Sequence, residues 1–177
     1  GAGKGTQGKA LGAIPGVFHL SSGDMFRNLD RNSEVGRTFH EISSRGELVP
    51  DELTIRVWKQ HVDRLIDAEK CQQGTEVVRR ERITRTGTDL LLLDCIPRNV
   101  KQAEMLDRHI RVLQVIHLNC HDEVEVVERL RKRAIKEGRS DDAKDEVIRK
   151  RLEVYRRETQ PLLEHYPDGS VADVDAI

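Results

Sequence analysis

The sequence predicts an α/β fold in which a mostly parallel β-sheet is flanked by helices. Wholly apolar runs such as Leu90–Leu93 are typical of parallel strands that are buried on both faces. Segments with helical periodicity separate these runs, and strands that alternate with helices indicate parallel pairing. A glycine-rich stretch at residues 1–7 precedes the first helix. Together these features predict a ligand site at the carboxyl ends of the strands.

The glycine-rich stretch, Gly-Ala-Gly-Lys-Gly-Thr-Gln, has the composition of a phosphate-binding loop. Its glycines lack a Cβ, so successive backbone N–H groups can converge on phosphate oxygens. Lys4 adds a mobile positive charge, and Thr6 adds a hydroxyl suited to Mg²⁺. A helix over residues 4–11 would direct its positive end at the same anion. The strand that should lead into this loop is absent from the sequence, so we expect the natural protein to have more residues before Gly1.

The other elements follow from periodicity and capping residues. Strands are predicted at residues 17–20, 90–94 and 115–120, with a weaker one at 171–176. Helices are predicted at residues 25–29, 33–44, from 51 onward, 100–110, 122–136 and 147–164. The long helix from residue 51 has a predicted buried face made of Leu53, Val57, Trp58, His61 and Leu65. Asp122 with Glu125 resembles a capping box, and residues 66–88 are interpreted as a surface excursion.

The composition excludes several classes of protein. The 177 residues carry a formal net charge of −1, which argues against nucleic-acid binding through bulk electrostatics. No run reaches the roughly 20 apolar residues needed to span a membrane, and no signal peptide is visible. The three cysteines are widely separated, which indicates a reducing compartment and no zinc site. We therefore expect a cytoplasmic protein, and nothing in the sequence requires it to be more than a monomer.

Charged and polar side chains lie at the end of the predicted strand at residues 90–94 and in the helices that follow it. Asp94 ends that strand, where a carboxylate could hold Mg²⁺ through water. Arg98 and Gln102 are four residues apart, so we expect both on one side of the helix that begins there, facing a ligand with a phosphate and a base. Arg129 and Arg133 share a helix face by the same spacing. Such positive charge suits phosphoryl transfer, which needs positioning and electrostatic stabilisation more than covalent help.

At this point the residues resemble those of adenylate kinases. Five stretches and the ending stand in that family's order: residues 1–7, Ser22-Gly23-Asp24-Met25-Phe26-Arg27, Gly46-Glu47-Leu48-Val49-Pro50-Asp51-Glu52, Asp94-Cys95-Ile96-Pro97-Arg98, Gly138-Arg139-Ser140-Asp141-Asp142, and Arg151-Leu152-Glu153 through Thr159-Gln160-Pro161-Leu162. The resemblance implies a P-loop NTPase-type parallel sheet and reversible transfer of a phosphoryl group from ATP to AMP, with Mg²⁺. It also implies a core of residues 1–20, 89–128 and 145–177, an AMP-binding insert at 21–49, and a short lid at 132–142 without a structural zinc.

The resemblance also implies roles for individual residues. The implied ATP-binding residues are Gly1, Ala2, Gly3, Lys4, Gly5, Thr6, Arg129 and Arg133. The implied AMP-binding residues are Ser22, Arg27, Glu47, Leu48, Val49, Cys95, Arg98, Gln102, Arg139 and Arg151. The implied catalytic group is Lys4, Arg98, Arg133, Arg139 and Arg151. Thr6 and Asp94 are the implied magnesium ligands, Asp94 through water.

Two other functions share these motifs. A UMP or CMP kinase has the same phosphate-binding residues, and Asn99 fits it somewhat, although Gln102 fits AMP better. A nucleotide-binding module without turnover is the second alternative, but loss of Lys4 or of the lid arginines would have favoured it, and all are present. Cys95 and Ile96 stand where the family usually shows glycine and phenylalanine. The chain is also longer than most relatives between residues 66 and 88.

Overall fold

The computed structural model describes residues 2–73, 90–136 and 144–176. The helices are α1 (Lys4–Leu11), α2 (Ser22–Arg27), α3 (Glu34–Ser44), α4 (Asp51–Gln73), α5 (Val100–Leu106), α6 (Glu123–Lys136) and α7 (Asp145–Val154). The strands are β1 (Val17–Ser21), β2 (Leu90–Asp94), β3 (Val115–Asn119) and β4 (Val171–Asp175). A π-helical turn (Tyr155–Thr159) and a 3₁₀ segment (Gln160–His165) continue α7. The alternation of strands and helices confirms the predicted α/β class.

The strands form two separate parallel pairs rather than one sheet. β1 pairs with β2, with Ser21 beside Asp94, and β3 pairs with β4. Because β2 and β3 do not pair with each other, each has one edge without a strand partner in the described part of the chain. Leu90 is 51% exposed and Ile116 is 49% exposed, so each of these strands also has an incompletely covered face. The prediction that these runs are buried on both faces is therefore wrong for this structure, although their parallel pairing is confirmed.

Short polar side chains cap the N-terminal ends of α2, α3 and α6. The Ser21 hydroxyl accepts from the Asp24 N–H at 3.3 Å, and the Ser33 hydroxyl accepts from the Gly36 N–H at 3.0 Å. Asp122 Oδ1 accepts from two N–H groups in the first turn of α6. These bonds satisfy donors that would otherwise have no intrahelical acceptor. The Glu125 carboxylate pairs with Arg129 rather than closing the predicted capping box.

The main core forms where α2 and α4 pack against the β1–β2 pair. Its buried residues are Leu20, Met25, Phe26, Ile55, Val57, Trp58, Val62, Ile96 and Leu106. Val57 and Trp58 are buried as predicted, whereas Leu53 and His61 are only half-buried because the buried face is centred nearer Ile55 and Val62. The Phe26 and Phe39 rings stack at 5.0 Å, which attaches α3 to this core.

Two predicted helix ends need correction. Helix α4 extends to Gln73, so residues 66–73 are helical and not part of a surface excursion; residues 74–88 of that segment lie outside the described residues. Helix α5 begins at Val100, after the Asn99 cap, because the Asn99 side chain accepts from the Gln102 N–H. It ends at Leu106 rather than at residue 110. Within the described ranges, none of the helices has the length and apolar character needed to cross a membrane.

Candidate nucleotide-binding cleft

The glycine-rich stretch forms a turn that leads directly into α1. Gly3 has φ 81° and precedes the first helical residue, a conformation that an L-residue rarely adopts. Its carbonyl accepts from the N–H groups of Thr6 and Gln7 at 2.9 and 3.1 Å. The N–H groups of Lys4 and Gly5 lie in the first turn, where a helix provides no acceptor, so they are available to an anion. The side chains of Lys4 and Thr6 are exposed at the same end.

Asp94 lies next to this turn. A Cβ placed on Gly5 would be 3.7 Å from Asp94 Oδ2, so the loop and the end of β2 are in contact distance. The Asp94 carboxylate is nearly buried, accepts from the Cys95 thiol at 3.1 Å, and lies 3.8 Å from His19 Nε2. Carboxylate and hydroxyl oxygens are ligands that Mg²⁺ accepts, and it commonly completes its shell with water and substrate phosphates. Among the described residues, no three His, Cys, Asp or Glu side chains are grouped to hold a metal by themselves.

His19 explains why glycines recur in α1. A Cβ on Gly8 would lie 2.3 Å from His19 Nε2, and one on Gly12 would lie 2.8 Å from His19 Cβ. Both distances are shorter than real contacts allow, so only glycine permits α1 to pack this closely on β1. The position of the turn at Gly3 relative to Asp94 depends on that packing.

The Cys95 carbonyl joins two predicted AMP ligands. It accepts from the Ser22 hydroxyl at 2.8 Å and from Arg98 Nε at 3.0 Å. Cys95 itself has φ 65°, the left-handed conformation that glycine adopts most easily. The glycine usual in the family would suit this backbone better than cysteine does. Ser22 and Arg98 are thereby held beside one another at the carboxyl end of β2.

Gln102 is held by protein partners at both ends of its amide. Its Oε1 accepts from the Arg98 N–H at 2.8 Å, and its Nε2 donates to Asp51 Oδ1 at 2.9 Å. Only 1% of its surface is exposed. Arg98 precedes the Asn99 cap, so the expectation that Arg98 and Gln102 share one side of a helix is wrong. A backbone-to-side-chain hydrogen bond, rather than helical spacing, brings them together.

The segment of residues 47–49 lies beside α7. Gly46 has φ 73° and ends α3 with two backbone hydrogen bonds, from its own N–H to Ser43 and from the Glu47 N–H to Ile42. A Cβ on Gly46 would be 3.1 Å from the Val147 carbonyl oxygen and 3.3 Å from Arg151 Cγ. This close approach brings the predicted adenine-contacting backbone next to Arg151.

Two predicted nucleotide-binding arginines are paired with carboxylates. Arg27 pairs with Asp24, three residues earlier. Burial raises the pKa of the Asp24 carboxyl, but the hydrogen bond and the charge of Arg27 outweigh burial and hold that pKa below its ordinary value. Arg129 pairs with Glu125 and donates to the Ala176 carbonyl at 2.8 Å. Either arginine would have to exchange these partners for a group of its nucleotide.

A single wide cleft connects these groups. Its volume is about 3020 Å³, and it also runs along the unpaired edges of β2 and β3. The predicted site residues that line it are Ala2, Gly3, Lys4, Gly5, Thr6, Ser22, Arg27, Glu47, Leu48, Val49, Asp94, Cys95, Arg98, Gln102, Arg129, Arg133 and Arg151. We call this space the central cleft. Its volume exceeds the roughly 300–1,000 Å³ of ordinary ligand pockets because it includes the gap between β2 and β3.

Some predicted residues cannot be located, and some residues at the site were not predicted. Gly1, Arg139 and most of the predicted lid lie outside the described residues. Sequence reasoning assigned no role to Asp51 or His19, which contact Gln102 and flank Asp94 respectively. The signal that could have singled out Asp51 is its position: it is a carboxylate directly after Pro50, at the start of a predicted helix. The sequence contains no comparable sign for the contact made by His19.

Comparison with known proteins identifies relatives over nearly the whole chain. The family model described as adenylate kinase matches residues 1–171. The chain is 39% identical to an adenylate kinase of Synechococcus sp. (strain RCC307) over 94% of its own length and 79% of the relative's. It is 38% identical to one of Thermobifida fusca and 40% identical to one of Maricaulis maris, covering 100% of this chain and 86% of each relative.

Proposed function

The chain belongs to the adenylate kinase family, and we propose that its central cleft is where a phosphoryl group passes between ATP and AMP to give two ADP. The observation that carries this proposal is the series of contacts that leads from Gly5 to Asp94 and from Ser22 through Cys95 to Arg98. It supports a phosphate-binding turn and an AMP-binding segment that meet at the end of β2. An enzyme that aligns two nucleotides needs both sites on one cleft.

The ATP phosphates are assigned to the turn at the start of α1. The family resemblance assigns the backbone of residues 1–6 to these phosphates. At the start of α1, the N–H groups of Lys4 and Gly5 carry partial positive charge, and the Lys4 ammonium adds a mobile charge. Arg129 and Arg133 extend this positive charge along α6. Arg129 is assigned to the base side of ATP and Arg133 to its phosphates.

AMP is assigned to the opposite side of the cleft. Its phosphate would lie against Arg27 and Arg98, with Ser22 beside them, and the backbone of residues 47–49 and of Cys95 would follow the nucleoside. Gln102 is assigned to the adenine base, because its amide retains one hydrogen on Nε2 and one lone pair on Oε1 beyond the bonds it makes to protein. Arg139 and Arg151 are assigned to the phosphate between the two nucleotides.

Magnesium fits the oxygen donors at the turn. The Thr6 hydroxyl and the Asp94 carboxylate, the latter through water, would hold the ion beside the ATP phosphates. Bound there, the ion would neutralise phosphate charge. Lys4, Arg98, Arg133, Arg139 and Arg151 supply the remaining positive charge around the transferred group. Their contribution is to position both nucleotides and to stabilise the charge that develops on phosphate oxygens.

The cytoplasm remains the predicted location, on the grounds of the cysteine pattern. Cys95 and Cys120 are free thiols, and a reducing compartment keeps thiols in this state. A monomer also remains the prediction.

A coupled assay of ADP formation tests the proposed function. With ATP saturating, we expect turnover with AMP and a kcat/KM for CMP and UMP that is lower by about ten- to a hundredfold. Equal kcat/KM for AMP and CMP would overturn the assignment of Gln102 to adenine and the choice of AMP as the substrate. Tight ATP binding without ADP formation from any monophosphate would assign a module without turnover.

A further inference from the structure

The amide of Gln102 is held in one orientation by two partners of opposite hydrogen-bonding character. The Arg98 N–H can only donate, and it points at Oε1 from 2.8 Å. The Asp51 carboxylate, when ionised, can only accept, and its Oδ1 lies 2.9 Å from Nε2. Asp51 is itself held in place, because its Oδ1 also accepts from Asn99 Nδ2 at 2.9 Å and its side chain is only 17% exposed.

Rotating the Gln102 amide by half a turn would break both bonds and create two repulsions. Nε2 would then face the Arg98 N–H, donor against donor, and Oε1 would face the Asp51 carboxylate, acceptor against acceptor. Buried polar groups without a partner are costly, and a charged group increases that cost. Asp51 is the charged member of the two partners and its side chain can be replaced, whereas the Arg98 N–H belongs to the backbone.

The orientation of an amide determines which purine it can bind. Adenine donates from its 6-amino group and accepts at the neighbouring ring nitrogen, so it matches an amide whose free positions are one lone pair on oxygen and one hydrogen on nitrogen. Hypoxanthine carries an oxygen at the same position and accepts there. It needs the reversed amide to form its hydrogen bonds.

We propose that Asp51 is a positioning residue that sets the preference for 6-amino over 6-oxo purines by fixing the orientation of the Gln102 amide. This inference rests on the proposed function, in which Gln102 contacts the base of the acceptor nucleotide. Asp51 acts through Gln102 and does not touch the nucleotide. The carboxylate therefore affects base discrimination and leaves the transfer step alone.

The test measures kcat/KM for AMP and for IMP, with ATP saturating, in the unmutated enzyme and in Asp51→Asn. Asparagine is neutral and can donate as well as accept, and Asn99 Nδ2 still holds its oxygen in place, so the reversed Gln102 amide then meets a neutral oxygen instead of a carboxylate. We expect the AMP-to-IMP ratio to fall about tenfold. The value of kcat at saturating AMP should stay within about threefold, because the reacting phosphates are untouched. Asp51→Ser, whose hydroxyl also donates and accepts, provides the same test if Asp51→Asn does not fold.

Glu52→Gln is the matched control. It removes the same charge from the neighbouring position, but Glu52 pairs with Lys101 at 2.6 Å and not with Gln102, so the ratio should not change. A folded Asp51→Asn enzyme with an unchanged ratio, alongside a Gln102→Ala enzyme with a reduced one, would overturn the role of Asp51 and leave the proposed function intact. An unchanged ratio in Gln102→Ala would overturn both the base contact and this inference. Absence of ADP formation from AMP in the unmutated enzyme would overturn the proposed function itself.

Discussion

Replacing Gly46 by alanine should destabilise the fold and weaken AMP binding together. Gly46 is buried at the end of α3, and it brings the segment of residues 47–49 against α7. Its φ of 73° lies in the left-handed region, and a Cβ there would approach the Val147 carbonyl oxygen to 3.1 Å. Gly169 provides a matched control, because its φ is 81° and a Cβ there would have no neighbour within 4 Å.

The two glycines allow the cost of the backbone to be separated from the cost of the contact. A left-handed conformation costs an alanine about 1–2 kcal/mol, and the less flexible unfolded chain offsets about 0.4–1 kcal/mol. Gly169→Ala should therefore lower the free energy of unfolding by about 1 kcal/mol. Gly46→Ala adds overpacking against the backbone of α7, which costs about 1–3 kcal/mol. Its total should be about 2–4 kcal/mol.

Urea unfolding of both variants measures this difference, and steady-state kinetics measures its functional consequence. We expect the KM for AMP to rise in Gly46→Ala because residues 47–49 and Arg151 shift. The KM for ATP should stay within about twofold. If the two variants lose the same stability to within about 0.5 kcal/mol, the contact with Val147 contributes nothing and the reasoning from close approach is refuted.

Three further predictions follow from single residues. Lys4→Ala should lower kcat by about a hundredfold or more while changing the free energy of unfolding by less than about 1 kcal/mol. Lys9→Ala replaces another exposed lysine of α1 and is the control. Turnover of the Lys4 variant within about threefold of the unmutated enzyme would contradict the assignment of Lys4 to the ATP phosphates. Cys95→Gly should raise the free energy of unfolding, measured with urea, by about 0.5–1 kcal/mol, because glycine adopts the φ of 65° more easily. A lower free energy of unfolding would show that the thiol contact with Asp94 outweighs backbone strain. Burial, with the charge of Asp107, raises the pKa of Tyr166 to about 12. The unfolded tyrosine titrates near 10, so this stabilisation is complete below about pH 10 and is lost as the pH rises towards 12. Tyr166→Phe should therefore show a shallower fall in Tm between about pH 10 and 12 than the unmutated protein does. Identical slopes of Tm against pH would refute the raised pKa of Tyr166.

The local features of the fold could be read from the sequence because their causes are local. Ser33 and Asp122 cap helices within three residues of themselves, and the apolar run before Asp94 forms a strand with a carboxylate at its end. The turn at Gly3 needs only glycine conformations and a following helix. Such features depend on short-range hydrogen bonds and backbone preferences, which a sequence displays directly.

The boundaries that were wrong depended on partners far along the chain. Whether an apolar strand is buried on both faces depends on which distant elements pack against those faces, and Leu90 and Ile116 remain about half exposed. Helix α4 continues to Gln73 although its apolar periodicity weakens before that residue. Periodicity describes one segment at a time, so it cannot report which distant segment covers it.

The sequence by itself determined the class of fold and the family, and it predicted which residue types would form a phosphate and magnesium site. The tertiary structure alone decided how those residues are held. Asp51 and Gln102 are 51 residues apart, and the Ser22 hydroxyl reaches a carbonyl 73 residues away. His19 lies beneath Gly8 and Gly12 only because α1 packs on β1. Distant segments set the orientation of the Gln102 amide, the proximity of charged side chains and the space that a glycine leaves. These relations exist only once the chain has folded.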